Sequence, residues 1–510
     1  MRVEIRPMVT TWLRGKFHLS NHVIPGYPPR YLPGTHSAKR AHMNPSSVSR
    51  RGFLRSASGL GLGAGALAVG GPAFARSKGE SKLRVLSIGV IGTIGGADRE
   101  QIGAHPQAEI VGLCDVDSKA LAEAAKAHPQ AFQCADYRQA FEEFGDQFDA
   151  VIVATPDHSH CSIMTMALAK GKHVYGQKPL VQQLEELEIL KQAIQARPNL
   201  VTQTGAQRIQ SKARRAAVDL LRMGSLGKVI EVHVAYGGSA LAGGFYFSDG
   251  KLEAPAPAPE GFDYDLWLNG AQYEPCRPNM VQRKWRSWWN YGGGQVADWV
   301  VHMTDVLFYA FPELQSPVLV CSRTPSKDLE WFHADKVLST LTYPVRGDKF
   351  ANSTCNFYFY DSGLQPNRAH LGIGEGDWPG GIFTIVVCEG GTMVLAPSGP
   401  LQIWREGKMT DGLEMPGLPE YEDFNHWHAW VDKALGVDTP HLWAPFEDGL
   451  RCTEAGLLAV KAAKYPGQVL RWDREKLSFS NHEEANQTLV RRNYRPGFEP
   501  VRLEKDAWSF

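Results

Sequence analysis

Residues 82–117 read KLRVLSIGVIGTIGGADREQIGAHPQAEIVGLCDVD, and this stretch decides the fold. LRVLSIGVI is aliphatic and β-branched without alternation, the pattern of a strand buried on both faces. Glycines 92, 95 and 96 follow, then a helix-like segment to about Ala104, then a second apolar run ending in Asp115. Strand, glycine turn, helix, strand and acid is the order of a dinucleotide-binding βαβ unit. The glycines let backbone approach a pyrophosphate, and the helix N-terminus favours its negative charge. Asp115 stands 20 residues after Gly95, placed for the adenosine ribose hydroxyls. It repels a 2′-phosphate and no arginine follows it directly, so NAD is favoured over NADP. The fingerprint departs at one place: Val90 stands where glycine is expected, and Gly89 comes one residue early.

Two further strands extend the pattern. FDAVIVATPDHSH (148–160) ends in Thr155-Pro156 and polar residues, and KHVYGQKPL (172–180) carries Lys178-Pro179 at its tip. Ligands of open α/β sheets bind outside the carboxyl ends of such strands. A lone lysine is most simply a solvated loop residue, but Lys178 at this position is a candidate for chemistry.

GGGQVADWVVHMTD (292–305) is a glycine run leading into an apolar segment with Asp298, His302 and Asp305. On a helix over 295–310 these three fall in a stripe roughly 60° wide at about 100° per residue. A solvated face is broad and rich in Lys or Glu; this one has neither and is flanked by Trp299, Val301, Val306 and Phe308. The stripe is therefore expected to be enclosed, in a cleft or in a buried hydrogen-bond network. A metal site needs at least three converging ligands, usually with more histidine, and none is expected. Asp305 is read as an anchor, and glycines 292–294 as letting backbone pass close to ligand.

The remaining chain reads as a second α/β part. SKARRAAVDLLRMGSLGK (211–228) is a helix closing on glycine, VIEVHVAYGG a strand, and 316–410 holds several alternating or β-branched runs, predicting a large open, mostly antiparallel sheet. Residues 423–435 and 449–465 are predicted helices. The expected fold class is α/β: an N-terminal doubly wound parallel sheet over 83–202, an α+β domain over 203–475, and a C-terminal tail over 476–510. Trp285, Trp288, Trp289, Tyr291 and Trp299 cluster near the glycine run. They suit stacking under a sugar ring or simple core packing. Arg208 suits a hydroxyl or carboxylate partner, or a structural ion pair.

The 510 residues hold 54 basic and 54 acidic side chains, so nothing points to a nucleic-acid partner. The eight cysteines contain no CxxC pair, which argues against a zinc ribbon or redox motif. SVSRRGFLR (47–55), a Gly/Ala/Leu segment and PAFA (72–75) compose an export signal with cleavage after Ala75 and with paired Arg50 and Arg51, as in the twin-arginine route. Residues 1–75 are thus an N-terminal extension and signal, whose start is Met1 or Met43. Its apolar core is too short and glycine-rich for a stable membrane anchor. The expected location is periplasmic, with the twin-arginine export machinery as a partner.

Three motifs together resemble the Gfo/Idh/MocA oxidoreductase family over roughly 83–475. ATPDHSH is similar to its strand-end motif, GQKPL to its E-K-P motif with Gln177 for glutamate, and GGGQVADWVVHMTD to its glycine-rich motif with an Asp and a His four residues later. DYDLWLNGA (263–271) and WRSWWNYGGG (285–294) resemble an exported subgroup. The resemblance implies Lys178, Asp298 and His302 as catalytic residues, with His302 the base. Together with the residue readings above, the resemblance leads us to expect cofactor contacts from Gly92, Thr93, Ile94, Gly95, Asp115, Thr155, Pro156, His160, Gln177 and Lys178, and substrate contacts from Arg208, Trp285, Asp298 and His302. It also implies homo-oligomers through the open sheet. The expected activity is NAD-dependent oxidation of a sugar, cyclitol or related polyol with a tightly held cofactor. The rivals are an NAD-dependent glycosidase using transient oxidation and elimination, and a non-catalytic sugar- or cofactor-binding protein.

Overall fold

The computed structural model describes residues 82–92, 94–237, 246, 252–278, 280–326, 330–374, 378, 381–439 and 443–504. The export signal and Thr93 lie outside them. The described residues fall within one compact unit, Ala75–Phe510.

Six parallel strands form the first sheet, in the order β3-β2-β1-β4-β5-β6. They are β1 (Leu83–Ile88), β2 (Ala108–Cys114), β3 (Phe132–Cys134), β4 (Ala150–Val153), β5 (His173–Gly176) and β6 (Thr202–Thr204). The connecting helices are α1 (Gly95–Gly103), α2 (Ser118–Ala125), α3 (Tyr137–Glu143), α4 (His160–Ala169) and α5 (Glu186–Gln195). Helices on both faces explain why five of the six residues of β1 and all four of β4 are buried. Strand order reverses at β1, so β1 and β4 diverge there and open a crevice at their carboxyl ends.

After α6 (Lys212–Met223) the chain enters a ten-stranded sheet through β7 (Val229–Ala235). Next come α7 (Tyr264–Leu268), α8 (Gly294–Ala310), β8 (Leu319–Arg323), β9 (Leu338–Pro344), β10 (Thr354–Tyr360), β11 (Phe383–Cys388), β12 (Gly391–Leu395), β13 (Leu401–Arg405) and β14 (Lys408–Asp411). After α9 (His426–Ala434) and α10 (Phe446–Lys461), β15 (Val469–Asp473) and β16 (Ser478–Phe479) close one edge. The order is β14-β13-β12-β11-β7-β10-β9-β8-β15-β16, and only β7 and β10 pair in parallel. Alternating burial along β9 and β10 shows one face on the core and the other half-exposed. The predicted α/β class and mostly antiparallel second sheet are both observed.

Two segments tie the halves together. Trp430 and Val431 of α9 join Leu83, Val85 and Ile152 in the first sheet's core, although α9 lies far along the chain. The stretch read as a C-terminal tail also packs: Ser162 Oγ donates to the Phe498 carbonyl at 2.7 Å, and the Arg138 guanidinium lies 3.8 Å from the Phe498 ring centre. All eight cysteines are free thiols.

Helix α10 sets the depth of α8. Gly456 faces α8 so closely that a Cβ there would stand 2.7 Å from Val300 Cγ1 and 2.8 Å from Ala297 Cα. A Gly456→Ala chain is expected to lose about 1–3 kcal/mol in urea unfolding, because the added methyl pushes apart two packed helices; an unchanged midpoint and slope would contradict this packing.

Candidate active site

The crevice at the carboxyl ends of β1, β2, β4 and β5 contains a cavity of about 320 Å³. At its glycine end, Gly89 (φ +84°) and Gly92 (φ +94°) hold backbone that favours glycine. A Cβ on Gly95 would stand 2.3 Å from the Gly89 carbonyl oxygen, so α1 packs directly on the end of β1. Gly89 therefore performs the close approach that the sequence pattern assigns to position 90, and Val90 instead turns its side chain into the core. A Cβ on Gly92 would meet nothing within 4 Å, which leaves open space beside the turn. Gly92, Ile94, Asp115, Thr155 and Pro156 all line the cavity.

Asp115 is half-buried at the tip of β2. Its Oδ2 accepts from the Val90 N–H at 2.9 Å and its Oδ1 from the Asp117 N–H at 3.0 Å. Burial pushes its pKa up, opposed by these backbone donors. The carboxylate thus braces the glycine turn and faces the cavity where a ribose edge would sit. The glycine turn and this acid fit an adenine dinucleotide without a 2′-phosphate.

At the opposite end Lys178 meets Asp298 of α8. Lys178 Nζ donates to Asp298 Oδ1 at 2.9 Å, with the two side chains 14% and 8% exposed. The Tyr246 hydroxyl donates to Asp298 Oδ2 at 2.5 Å and accepts from Trp299 Nε1 at 3.2 Å. Arg286 Nε is 4.0 Å from Asp298 Oδ1. Burial alone would raise the Asp298 pKa, but Lys178, Arg286 and the Tyr246 hydroxyl outweigh it and hold the carboxyl below its ordinary value.

A second carboxyl lies beside the first. Asp157 is 3% exposed, lines the cavity and accepts from the Gly293 N–H at 2.9 Å. Burial, then the charge on Asp298, push its pKa up to about 7. Two neighbouring acids with pKa values driven apart are a common acid–base arrangement. Asp157 and Arg286 stand inside quoted motifs, yet sequence reasoning passed over both; Tyr246 carries no sequence signal of its role.

Gln177 does not leave the lysine without a carboxylate nearby. Its Nε2 donates to Asp98 Oδ2 at 2.7 Å, and Trp427 Nε1 of α9 donates to Asp98 Oδ1 at 2.8 Å. Asp98 is fully buried, and burial raises its pKa to about 7 against the pull of these donors and of Lys178. An acid in the first turn of α1 looks in sequence like an ordinary helix-end charge. Gly205 leaves room for the amide, since a Cβ there would stand 2.4 Å from Gln177 Nε2. His160 lines the cavity and joins its two loops: its ring nitrogens lie 2.8 Å from the carbonyls of Pro179 and of Thr155.

The stripe on α8 is enclosed, but its members face different partners. His302 is 4% exposed and is not among the residues lining the cavity. Its Nδ1 has no partner among the described residues, and its ring meets Trp299 edge-on at 5.7 Å. Burial, with Lys178, Arg208 and Arg214 nearby, drives its pKa well down and keeps it neutral. Asp305 pairs with the buried Arg214 and anchors the helix, as expected. Arg208 donates to Ser398 Oγ at 2.6 Å and does not line the cavity, unlike Trp285, over whose ring Arg286 sits at 4.1 Å. Trp288 and Tyr291 pack in a separate apolar core with Trp267. Nor do glycines 292–294 border the cavity: a Cβ on Gly292 would meet Arg286 Cα at 2.5 Å, so the run serves a tight turn of the protein on itself.

A Rossmann crevice with a lysine–aspartate pair at its floor defines the class: a dinucleotide-binding α/β protein with an open-sheet second half. Residues 83–204 match the oxidoreductase family's NAD-binding Rossmann fold, and residues 212–341 its C-terminal alpha/beta domain. The chain belongs to the Gfo/Idh/MocA oxidoreductase family. Among curated relatives, it is 35% identical over 160 residues to a glycosyl hydrolase family 109 protein of Solibacter usitatus, covering 27% of this chain and 34% of that protein. It is 30% identical over 186 residues to inositol 2-dehydrogenase 1 of Saccharopolyspora erythraea, covering 36% of this chain and 53% of that protein. The chain thus spans between a third and about half of these relatives' length. In fold it is similar to the WlbA dehydrogenase from Bordetella pertussis, solved with NADH and UDP-GlcNAcA, at 17% identity and a TM-score of 0.52, over 77% of this chain and 99% of that one.

The raised pKa of Asp157 sets a pH dependence. Its neutral form favours the fold fully below the ordinary carboxyl value of 3.8, and that contribution is lost as pH rises to about 7. Asp157→Asn keeps an acceptor for Gly293 and removes the ionisation. Its stability relative to the unsubstituted protein is expected to rise by about 2–4 kcal/mol between pH 4 and pH 8, measured by urea unfolding at each pH; a constant difference would contradict the assignment.

Proposed function

We propose that the protein is an NAD-dependent oxidoreductase that removes hydride from a carbinol carbon of a sugar, cyclitol or related polyol. The observation that carries this reading is the buried Lys178–Asp298 pair at the floor of a cavity whose other end is the Asp115 glycine turn. When bound, NAD supplies the hydride acceptor. Lys178 Nζ donates a hydrogen bond to the carbinol oxygen, and its charge stabilises the negative charge developing there. Asp298, itself held by Tyr246, keeps the ammonium in place. The resemblance gives the hydroxyl proton to His302, which burial holds neutral and whose Nδ1 is unpartnered among the described residues, but which stands outside the cavity wall. Asp157, on the cavity wall, is the other group able to take it.

Reduction of NAD followed at the NADH absorbance band over a sugar and polyol panel tests the reading. Lys178→Ala is expected to lower kcat by about 10²–10⁴-fold, the range for a positioned acid–base or electrostatic group. His302→Gln should show a loss of similar size, with Asp157→Asn altering the pH profile near 7. Full activity in both the Lys178 and His302 variants sinks the mechanism. A large loss in Asp157→Asn beside an active His302→Gln moves the proton-acceptor role to Asp157. In the same assay Asp115→Ala is expected to weaken NAD about tenfold or more and to narrow the preference over NADP.

A second reading is favoured by the similarity to the glycosyl hydrolase family 109 protein. Here the same residues oxidise a sugar transiently, the aglycone is eliminated, water adds and the hydride returns. Release of an aryl aglycone without net NADH separates this from dehydrogenation. The remaining reading, binding without catalysis, predicts a protein that carries NAD and exchanges hydride with no sugar.

We further propose export to the periplasm by the twin-arginine route, on the strength of residues 47–75, with NAD tightly retained. No helix among the described residues is long and apolar enough to cross a membrane. The half-exposed face of the large sheet, to which Asn356, Tyr358 and Tyr360 of β10 belong, supports self-association. Light scattering on the purified chain reads the oligomeric state.

A further inference from the structure

A second cavity, of about 200 Å³, lies apart from the first, and none of the described residues lines both. Its wall is strongly basic. Lys461 at the end of α10, Lys464 in the turn that follows it, and Arg491 and Arg492 of the C-terminal segment all line it, and none of its described lining residues is acidic.

The decisive group is Lys461. It is 5% exposed, and its Nζ donates to the neutral Gln183 Oε1 at 3.0 Å. A buried ammonium with only an amide for partner is costly. Burial, with Arg492 and Lys464 beside it, pulls its pKa down to about 7. The acid that acts on it, Glu186, is committed elsewhere: its oxygens accept from the Gln182 and Gln183 N–H groups at 2.9 and 2.8 Å and from the Tyr494 hydroxyl at 2.8 Å. Arg492 is held by carbonyl oxygens of His158 and Asn290, both at 3.0 Å, and by the Gln182 side chain. These neutral acceptors fix its guanidinium without neutralising it. Lys464 Nζ sits 4.8 Å from the centre of the Trp289 ring.

Cations that are merely solvated point outward and find carboxylates. Lys461 and Arg492 are instead fixed by neutral acceptors, and with Lys464 and Arg491 they line a common space to whose wall Thr488 and Asn493 add polar groups. That chemistry matches a compact, doubly charged oxyanion. We propose that this cavity is a binding site for a phosphate group, as the free ion or as the phosphate of a small monoester, held by Lys461 and Lys464 with Arg491 and Arg492 at its rim. The proposal is independent of the reading of the first cavity.

The test uses the full chain at fixed ionic strength. Titration calorimetry and thermal unfolding are compared for sodium phosphate, sodium chloride, glucose 6-phosphate and glucose. Phosphate is expected to bind one to one and to raise the unfolding midpoint above that in chloride, whereas glucose does neither. Glucose 6-phosphate binding more tightly than phosphate identifies a monoester site, and equal binding a free-ion site; both support the proposal. In Lys461→Met, phosphate affinity should fall about tenfold or more, while the midpoint in chloride stays level or rises because a buried unpaired cation is gone. Lys464→Gln, at a partly exposed position, should weaken phosphate even if Lys461→Met folds poorly. Phosphate that acts no differently from chloride overturns the proposal. So does a phosphate effect that persists undiminished in both variants, since it would then arise at another site.

Discussion

The ion pair between Lys178 and Asp298 joins the two halves of the molecule at the point where chemistry is proposed. The lysine sits just beyond β5 of the parallel sheet, and the aspartate on α8, which belongs to the second half. At 2.9 Å and nearly buried, neither charge has bulk water to fall back on, so each depends on the other. Losing one member of such a pair typically costs about 3–5 kcal/mol, because the partner is left desolvated. The strand-end loop and α8 must therefore keep their relative placement. Gly456 allows α8 to sit deep against α10, the Arg214–Asp305 pair holds it further along, and Asp157 grips the residue just before it through the Gly293 N–H.

The electrostatics follow from that placement. Asp298 has two cations and a phenol around it and stays ionised; Asp157, buried beside it, is pushed toward neutrality by the same charge. The Asp98–Gln177 contact extends the logic. A buried carboxyl on α1 shares its oxygens between Gln177 and Trp427, so the amide beside Lys178 has a fixed orientation. What the strand-end motif lacks in charge at position 177 is supplied by another element.

Much of this was legible in the sequence because it rests on local rules. Buried strands in a parallel sheet have to be continuous apolar runs, and a strand-to-helix turn that packs closely has to use glycine. The α8 stripe could be recognised as enclosed because it has so few charges around it. Long-range contributions left no such mark. Asp98 resembles a helix-end acid, Tyr246 lies in a segment without periodicity, and Trp427 is more than three hundred residues from the carboxyl it serves. Arg208 was the reverse case: a residue attractive in sequence whose guanidinium turns toward Ser398 rather than the cavity.

By itself the sequence determined the two-part α/β architecture, the dinucleotide turn, and the elements that carry Lys178, Asp298 and His302, because periodicity, glycine placement and strand-end position are properties of short segments. Only the tertiary structure decided that Gly89 takes over the close approach, that Asp157, Arg286 and Tyr246 surround Asp298, that His302 lies outside the cavity wall, and that four cations converge on a second one. The physical reason is desolvation. A carboxyl or ammonium acquires its charge state and its partners from whatever packs around it, and those neighbours come from distant parts of the chain.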